Sequence, residues 1–352
     1  MAMNTLCGGV FCAILLFRSA AAAESGLKVI DDPAYTHAQR LVEVEPGRRL
    51  NLYCLGEGTP AVIFEAGSGD NTSAWARVQP AIAENTRACS YDRAGIGFSD
   101  PARRPSDSAN TVDDLHRLLN AAAIKPPYIL VGHSLGGMHV RLYADLHFGE
   151  IAGMVLVDSK DEAWYEKIWL LDPEQRTHEQ YFAWSPKVLE KQRACVKAAQ
   201  AGFVKGSEIY NTCVYPDDPL YSAAINAANN KNQMSVAYQQ EDASDRNSQD
   251  ASTNEVIAAR RWYGELPLIV LTASPVGARA NETQAHRDAL NRLHAVFADQ
   301  LAALSKRGVV RPVPDSTHEI QRSQPQAVID AILKILEDAR EPKEDVGAVP
   351  NR

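Results

Sequence analysis

The stretch Gly132-His133-Ser134-Leu135-Gly136-Gly137 decides the fold predicted for this chain. It follows an apolar run at 128–131 and precedes a segment whose apolar residues recur at helical spacing. A strand, a tight turn and a helix in this order present the serine hydroxyl above a sheet, an arrangement called a nucleophile elbow. Small residues beside the serine fit a strained turn, after which the helix returns close to the strand. We therefore expect Ser134 to act as a nucleophile.

Strand and helix patterns alternate on both sides of this turn. Such alternation predicts an α/β fold with a mostly parallel, doubly wound sheet that helices cover on both faces. A hairpin around Pro46-Gly47 precedes the alternation, and a helix is predicted over 111–123, with Thr111 and Asp114 as a capping box at its start. Further strands are predicted at 61–65, 87–91, 153–157, 266–271 and 309–313.

The alternation stops after Asp158 and resumes at Leu266. The intervening pattern is helical and irregular, and we interpret it as a lid over the carboxyl edge of the sheet, where open α/β sheets bind ligands. An insertion that only packs against the core is the alternative. Within it, the polar run Gln239–Asp250 predicts an exposed loop. The predicted divisions are a first core part at 24–159, a helical lid at 160–265, a second core part at 266–340 and a disordered tail at 341–352.

Residues 1–23 have the pattern of a secretory signal peptide. An apolar run from Leu6 to Phe17 is short for a bilayer span, and four alanines at 20–23 offer a cleavage site before Glu24. An uncleaved anchor is the alternative. Cleavage predicts a secreted or periplasmic protein with no stable membrane insertion.

Four cysteines remain after residue 23, an even number that suits an exported chain. Cys195 and Cys213 lie in one segment and make a plausible disulfide. Cys54 and Cys89 end two separate predicted strands, which allows a second disulfide if those strands are neighbours. Buried reduced thiols are the alternative.

The overall composition narrows the range of partners. The 352 residues are 45% hydrophobic and 23% charged, with a formal net charge of −8. No basic stripe is present, which argues against nucleic acid as a partner, since phosphate binding needs clustered Lys and Arg. The chain has no CxxC motif and no spacing typical of zinc ligands, so we predict no metal. A small molecule is the expected substrate.

A serine nucleophile needs a base, and the base needs an orienting acid. His318 lies in the loop between the last predicted strand and the last helix, where the base belongs when the chain order is nucleophile, acid, base. A loop histidine without a role is the alternative. For the acid, we favour Asp158 at the end of a buried strand over Glu282, the first carboxylate after the next strand. His133 is expected to point away from the site. Surface or packing positions are expected for His37, His116, His147, His178, His286 and His294.

Two backbone amides are needed to bind the oxyanion that develops during attack. One is the amide of Leu135, directly after the nucleophile. The other is expected from the loop Glu65-Ala66-Gly67-Ser68-Gly69, where we choose the amide of Ser68. The position of this Gly-Ser-Gly turn, upstream of the elbow, supports the choice.

These motifs resemble those of the α/β-hydrolase fold family. The elbow matches, and the segment 91–99, Tyr-Asp-Arg-Ala-Gly-Ile-Gly-Phe-Ser, is similar to the family's D-x-x-G-x-G-x-S turn. The similarity runs from about Gln39 to Ala339, apart from the lid. Ala66-Gly67 stands where the family usually has His-Gly. An acid after Val157 resembles the haloalkane dehalogenase branch, but Ser134 replaces the aspartate nucleophile of that branch and excludes dehalogenation or epoxide opening by its route.

Together with the signal-peptide pattern and the candidate triad, these features lead us to expect an exported serine hydrolase. It would cleave a carboxylic ester through a Ser134-His318-Asp158 triad and an acyl-enzyme, with no cofactor. A lactonase, a thioesterase or an aminopeptidase would use the same triad, and an aminopeptidase would need acidic lid residues near the substrate amine. A cofactor-free haloperoxidase, which uses the same triad to make a peracid, is a further alternative. The alternative of another class is a non-catalytic protein that binds a ligand.

Overall fold

The computed structural model describes residues 27–162, 164, 167, 184–277 and 283–340. Within them, eight strands form one sheet in the order β1-β2-β4-β3-β5-β6-β7-β8. Strand β2 is antiparallel to β1 and β4, and the other neighbours pair in parallel. The predicted α/β class with a mostly parallel sheet is confirmed. The strands are β1 (Arg40–Glu45), β2 (Arg48–Leu55), β3 (Ala61–Glu65), β4 (Ala88–Tyr91), β5 (Tyr128–His133), β6 (Ile151–Val157), β7 (Leu268–Thr272) and β8 (Gly308–Pro312).

Helices cover both faces of this sheet, so the central strands are buried throughout, as parallel strands usually are. Alternate residues of a strand enter different cores: Leu130 packs with α2 and α3 on one face, whereas Ile129 and Val131 pack with α11 on the other. The helices are α1 (Gln79–Ala83), α2 (Ser108–Ala121), α3 (Leu135–Leu146), α4 (Trp184–Ala201), α5 (Glu208–Cys213), α6 (Ala223–Gln233), α7 (Val236–Asn247), α8 (Gln249–Ala259), α9 (Gln284–Ala302), α10 (Ile320–Ser323) and α11 (Pro325–Arg340).

The start of α2 differs from the expectation. The helix begins at Ser108, and Asp107 caps it by accepting a hydrogen bond from the Asn110 amide at 2.8 Å. Asp114 is not part of a capping box, because its carboxylate forms a bidentate salt bridge with the buried Arg48 guanidinium, with N–O distances of 2.6 and 2.7 Å. The prediction of a cap at Thr111 was wrong because a distant arginine engages the acid.

The helices α4 to α8 lie between β6 and β7, in the segment interpreted as a lid. The predicted exposed loop at Gln239–Asp250 is wrong: most of it belongs to α7, and Gln239, Glu241 and Asp245 are buried. Gln239 donates its side-chain amide to the carbonyl of Cys213 at 3.1 Å. Polar composition suggested a loop, but these side chains have partners on other segments.

Two disulfides join the cysteines in the pairs that the sequence suggested. Cys54 and Cys89 are opposite each other on the neighbouring strands β2 and β4. Cys195 and Cys213 connect α4 to α5, so this bond ties two helices of the inserted segment together.

Some predicted features lie outside the described residues: the signal peptide at 1–23, the tail at 341–352 and Glu282. The division into two core parts and a lid stays a prediction. Among the helices that the structure describes, none combines the length and the apolar character needed to cross a bilayer.

Candidate active site

Ser134 lies between β5 and α3 in a strained backbone conformation, with φ 51° and ψ −118°. A positive φ is costly for a residue with a side chain and is typical of functional turns. The amide of Ser134 donates to the carbonyl of Val157 at 3.1 Å, and its own carbonyl accepts hydrogen bonds from Gly137 and Lys160 at 3.0 Å each. These contacts with β6 and the following loop hold the turn in place.

The glycines around Ser134 are required by close backbone approaches. A Cβ on Gly132 would lie 2.5 Å from the carbonyl oxygen of Gly136, and one on Gly136 would lie 2.4 Å from that of Glu65. A Cβ on Gly137 would lie 2.1 Å from Ser159 Oγ. All three distances are below any real contact of a Cβ, so larger residues would push α3 away from the sheet and move the serine.

Asp158 and His318 are brought together from loops after β6 and β8. The distance from His318 Nδ1 to Asp158 Oδ2 is 2.6 Å, that of a short, charge-assisted hydrogen bond. The other carboxylate oxygen, Oδ1, accepts the Ala273 amide at 2.9 Å. Asp158 is buried, whereas the His318 side chain is 52% exposed and therefore open to an incoming ligand.

Asp158 and His318 each stabilise the charged form of the other. Desolvation of the imidazole acts to lower the pKa of His318, but the hydrogen bond to Asp158 and its negative charge outweigh it and raise the pKa above its ordinary value. Burial acts to raise the pKa of Asp158, and the contact with His318 lowers it instead. Asp158 is therefore ionised at neutral pH and stabilises a protonated His318.

The sequence predicted that His133 points away from the site, but the structure places its ring against the loop that carries His318. It is buried, and its Nε2 lies 3.1 Å from the backbone carbonyl oxygen of His318, which fixes the loop that carries His318. Burial and the neighbouring His318 lower the pKa of His133 to about 4. Because its ring would contact any Cβ on Gly67 at 2.7 Å, it also explains why residue 67 is a glycine.

Arg93, from the segment that resembles the family's D-x-x-G-x-G-x-S turn, binds the loop after β3. Its guanidinium donates to the carbonyl of Ala66 at 2.7 Å and to that of Gly67 at 2.6 Å. Nη1 also forms a buried ion pair with Glu65 at 2.8 Å, and the Nδ1 of His139 on α3 lies 3.1 Å from the same carboxylate oxygen. With their carbonyls bound by Arg93, the peptide groups of this loop are held in one orientation.

The two predicted oxyanion donors lie at the same edge of the sheet. Leu135 is the first residue of α3, where a helix has amides without intrahelical partners and a positive dipole end. Ser68 follows Gly67 in the loop that Arg93 binds, and its hydroxyl donates to Asp245 on α7 at 2.8 Å. This bond connects the loop to the inserted segment.

Sequence reasoning missed two histidines near the site. The Nε2 of His294, on α9, lies 3.3 Å from Asp158 Oδ1, so this residue is not merely a surface or packing histidine. His139, one turn into α3, contacts Glu65 as described above. No local pattern indicates these contacts, because each histidine reaches a carboxylate that is distant along the chain.

In the part of the chain that the structure describes, the Ser134 hydroxyl makes no hydrogen bond to His318. Hydrogen bonds between catalytic groups are often long before substrate binds and shorten in the complex. Glu282, the alternative acid, is outside the described residues, so only Asp158 has a known position relative to His318.

Comparisons with known proteins identify the class to which this fold belongs. The family profile described as alpha/beta hydrolase fold matches residues 60–265, which is more than half of the chain. The chain therefore belongs to the α/β-hydrolase fold family, as its motifs predicted.

Individual relatives are more distant. An uncharacterised protein of Bacillus subtilis is 38% identical over 103 residues, which cover 29% of this chain and 41% of that protein. The chain spans less than half the length of the curated relatives it matches. Among solved structures, it is similar to an epoxide hydrolase, CorEH, with 18% identity, TM-score 0.55 and coverage of 86% of this chain and 99% of the other. A thermophilic esterase from Thermogutta terrifontis has 17% identity, TM-score 0.52 and the same coverage. At these identities the similarity concerns the fold alone.

Proposed function

We propose that this chain is a serine hydrolase that cleaves a carboxylic ester through Ser134, His318 and Asp158. The observation that carries the proposal is the 2.6 Å hydrogen bond between His318 and Asp158, made at the sheet edge where the strained Ser134 turn lies. Asp158 accepts from Nδ1, which leaves the imidazole Nε2 free to take a proton from a hydroxyl.

The reaction proceeds in two halves. Ser134 Oγ attacks the ester carbonyl while His318 takes its proton, and the amides of Leu135 and Ser68 stabilise the oxyanion. His318 returns the proton to the leaving alcohol as the acyl-enzyme forms. A water molecule then attacks the acyl group by the same route and frees the serine. These steps use no cofactor, and the substrate partner is a small molecule.

An aminopeptidase is the second candidate, because two buried acids of the inserted segment lie in this region. Asp245 contacts the loop 65–69, here called the oxyanion loop, and Glu241 lies near Arg93, which binds that loop. Asp245 accepts the Ser68 hydroxyl, and burial raises the pKa of Glu241 to about 8. A carboxyl that is largely protonated at neutral pH, and another already hydrogen-bonded, are poor binders of an ammonium group. The ester reading is therefore favoured, and turnover of aminoacyl p-nitroanilides at the rate of p-nitrophenyl esters would reverse this preference. Lactones and thioesters remain substrates of the same chemistry.

Covalent labelling tests the proposal directly. An organophosphonate is expected to modify Ser134 stoichiometrically and to leave the neighbouring Ser159 unmodified, as read from the mass of the tryptic peptides. A non-catalytic binding protein is the alternative of another class. It would be indicated if the folded protein stays unlabelled under conditions that fully label a known serine esterase.

The pH profile of turnover gives a second test. His318 must be neutral to accept a proton, and its pKa is raised, so kcat/KM is expected to fall as pH drops through a pKa above the ordinary value of about 6.5. His133, with a pKa near 4, cannot produce this limb. An acid limb well below pH 6 would contradict the pairing of His318 with Asp158.

Arg93 offers a test of the oxyanion loop. Arg93→Lys keeps the charge but loses the fork that binds two carbonyls, so kcat is expected to fall about 10–100-fold through misplacement of the Ser68 amide. Arg103→Lys is the matched control, since Arg103 binds the carbonyls of Pro46 and Gly47 in the same way on the β1–β2 hairpin. Equal losses in both variants would point to a general effect on the fold.

We also propose that the chain is exported and that residues 1–23 are removed. The two disulfides support this, since such bonds persist in oxidising compartments. Mass spectrometry of the protein from a periplasmic or culture fraction is expected to find Glu24 as the first residue. An intact N-terminus in the membrane fraction would favour the uncleaved anchor.

A further inference from the structure

Two histidines and a glutamate lie together at the opposite edge of the sheet from Ser134. His116 is on α2, His147 directly follows α3, and Glu150 directly precedes β6. One possible ligand atom of each lies within 4.8 Å of those of the other two, and all three side chains are half-buried. Within the described part of the chain, it is the one group of three or more histidines, cysteines or acids whose possible ligand atoms lie this close together.

The contacts within this group are close. The rings of His116 and His147 are stacked, with centroids 4.1 Å apart and planes 12° from parallel. His116 Nε2 lies 3.5 Å from Glu150 Oε1. These side chains therefore lie together between three elements of the core. Because stacked rings hold their nitrogen lone pairs in nearly parallel planes, one ring must rotate before both imidazoles face the same ion.

We propose that His116, His147 and Glu150 bind a divalent transition metal, with Zn²⁺ as the favoured ion. Two imidazole nitrogens and one carboxylate oxygen are a ligand set that zinc accepts, with a fourth position left for water. An ion that prefers oxygen ligands alone, such as Mg²⁺ or Ca²⁺, has less affinity for this set.

The distances are compatible with such a site. Zinc at about 2.0–2.1 Å from each tetrahedral ligand requires ligand atoms about 3.4 Å apart. Closing the widest separation of 4.8 Å to that value takes about 1.4 Å, within the reach of rotations of half-buried side chains. The Asn120 amide nitrogen, 3.2 Å from His116 Nε2, is the group that the ion would displace.

The surroundings already orient one ligand. The buried hydroxyl of Tyr143, on α3, donates to Glu150 Oε2 at 2.7 Å, so the other oxygen, Oε1, is turned towards His116. The backbone is fixed as well, because the Glu150 amide donates to the carbonyl of His147 at 2.9 Å. A hydrogen-bonded carboxylate on a constrained turn is the kind of support that metal ligands usually have.

This site is separate from the catalytic groups. β6 starts at Ile151, next to Glu150, and ends at Val157, next to Asp158, so its extended chain separates the two residues by about 26 Å. The metal would bind α2, the end of α3 and the start of β6 to one another, and its role would be structural. The proposal does not depend on esterase activity.

Titration of the chelator-treated full chain with ZnCl2 tests the proposal. Calorimetry is expected to show one site per chain, and zinc at 100 times its Kd is expected to raise Tm by ~4 °C. His147→Gln and Glu150→Gln should each weaken binding at least about 100-fold, and Tyr143→Phe about 10-fold through the loss of the orienting hydroxyl. Co²⁺ bound in place of zinc should show the visible absorption of tetrahedral coordination, and His147→Gln should lose it.

Two matched variants locate the ion. His37→Gln removes an exposed imidazole elsewhere and should bind zinc like the native protein. His318→Gln should also bind zinc as tightly as the native protein. If the ion instead binds at Asp158 and His294, His318→Gln should bind it more weakly, and zinc should inhibit ester turnover by the native protein. The proposal is overturned if native protein binds no zinc, or if a folded His147→Gln variant binds it as tightly.

Discussion

Replacing Ser134 with Ala is expected to lower kcat for a p-nitrophenyl ester roughly 10⁵–10⁶-fold, because no other group in the site can form the acyl-enzyme. The substitution keeps the Cβ in its strained position and removes only the hydroxyl, so the free energy of unfolding should change little. Stopped assays at high enzyme concentration measure the residual rate, and urea unfolding checks the fold.

Ser159→Ala is the matched control for that experiment. Ser159 is a buried serine directly after Asp158, close to Gly137, and it has no role in the proposed reaction. It should therefore retain most of the native turnover. The nucleophile assignment would be refuted by a Ser134→Ala protein that keeps a tenth or more of the native kcat after purification free of contaminating esterase.

Asp158→Asn is expected to lower kcat about 10⁴-fold, since an amide cannot hold the required tautomer of His318 or stabilise its protonated form. The fold should tolerate the change, because Asp158 has φ 43° and asparagine is among the few residues that adopt this region readily. NMR titration should also show a lower pKa of His318, as the raising contact is lost.

Glu282→Gln is the comparison that decides between the two acids considered from the sequence. It should leave kcat within about twofold of native, because the proposed reaction gives Glu282 no role. If Glu282→Gln abolishes turnover while Asp158→Asn retains it, the acid is Glu282 and the hydrogen bond between Asp158 and His318 is structural.

Local sequence carried the information for the turn at Ser134. Glycines are needed there because a Cβ on Gly132 or Gly136 would overlap backbone atoms, and such a need is visible in any sequence that forms the turn. The alternation of apolar segments likewise predicted the parallel sheet, since buried strands and amphipathic helices have distinct periods. Chain order also predicted a loop position for His318, and the structure places that loop beside Asp158.

Contacts between distant segments were decided only by tertiary structure. Asp114 pairs with Arg48 rather than capping α2, and the polar run at Gln239–Asp250 is mostly helical, with Asp245 bound to Ser68. From composition alone, such polar residues are predicted to be exposed to solvent, because composition does not show which distant residue will form a hydrogen bond or ion pair with them. The contact between His294 and Asp158 was not predicted either, because no local motif indicates it.

The sequence by itself determined the fold and the serine turn, because both depend on periodicity and on steric limits within a few residues. Tertiary structure alone brought Asp158 beside His318, Arg93 beside the loop after β3, and His116 and His147 beside Glu150. Each of these groups joins residues from separate elements. Their distances depend on how the sheet is ordered and how the helices pack against it, and no spacing along the chain encodes that packing.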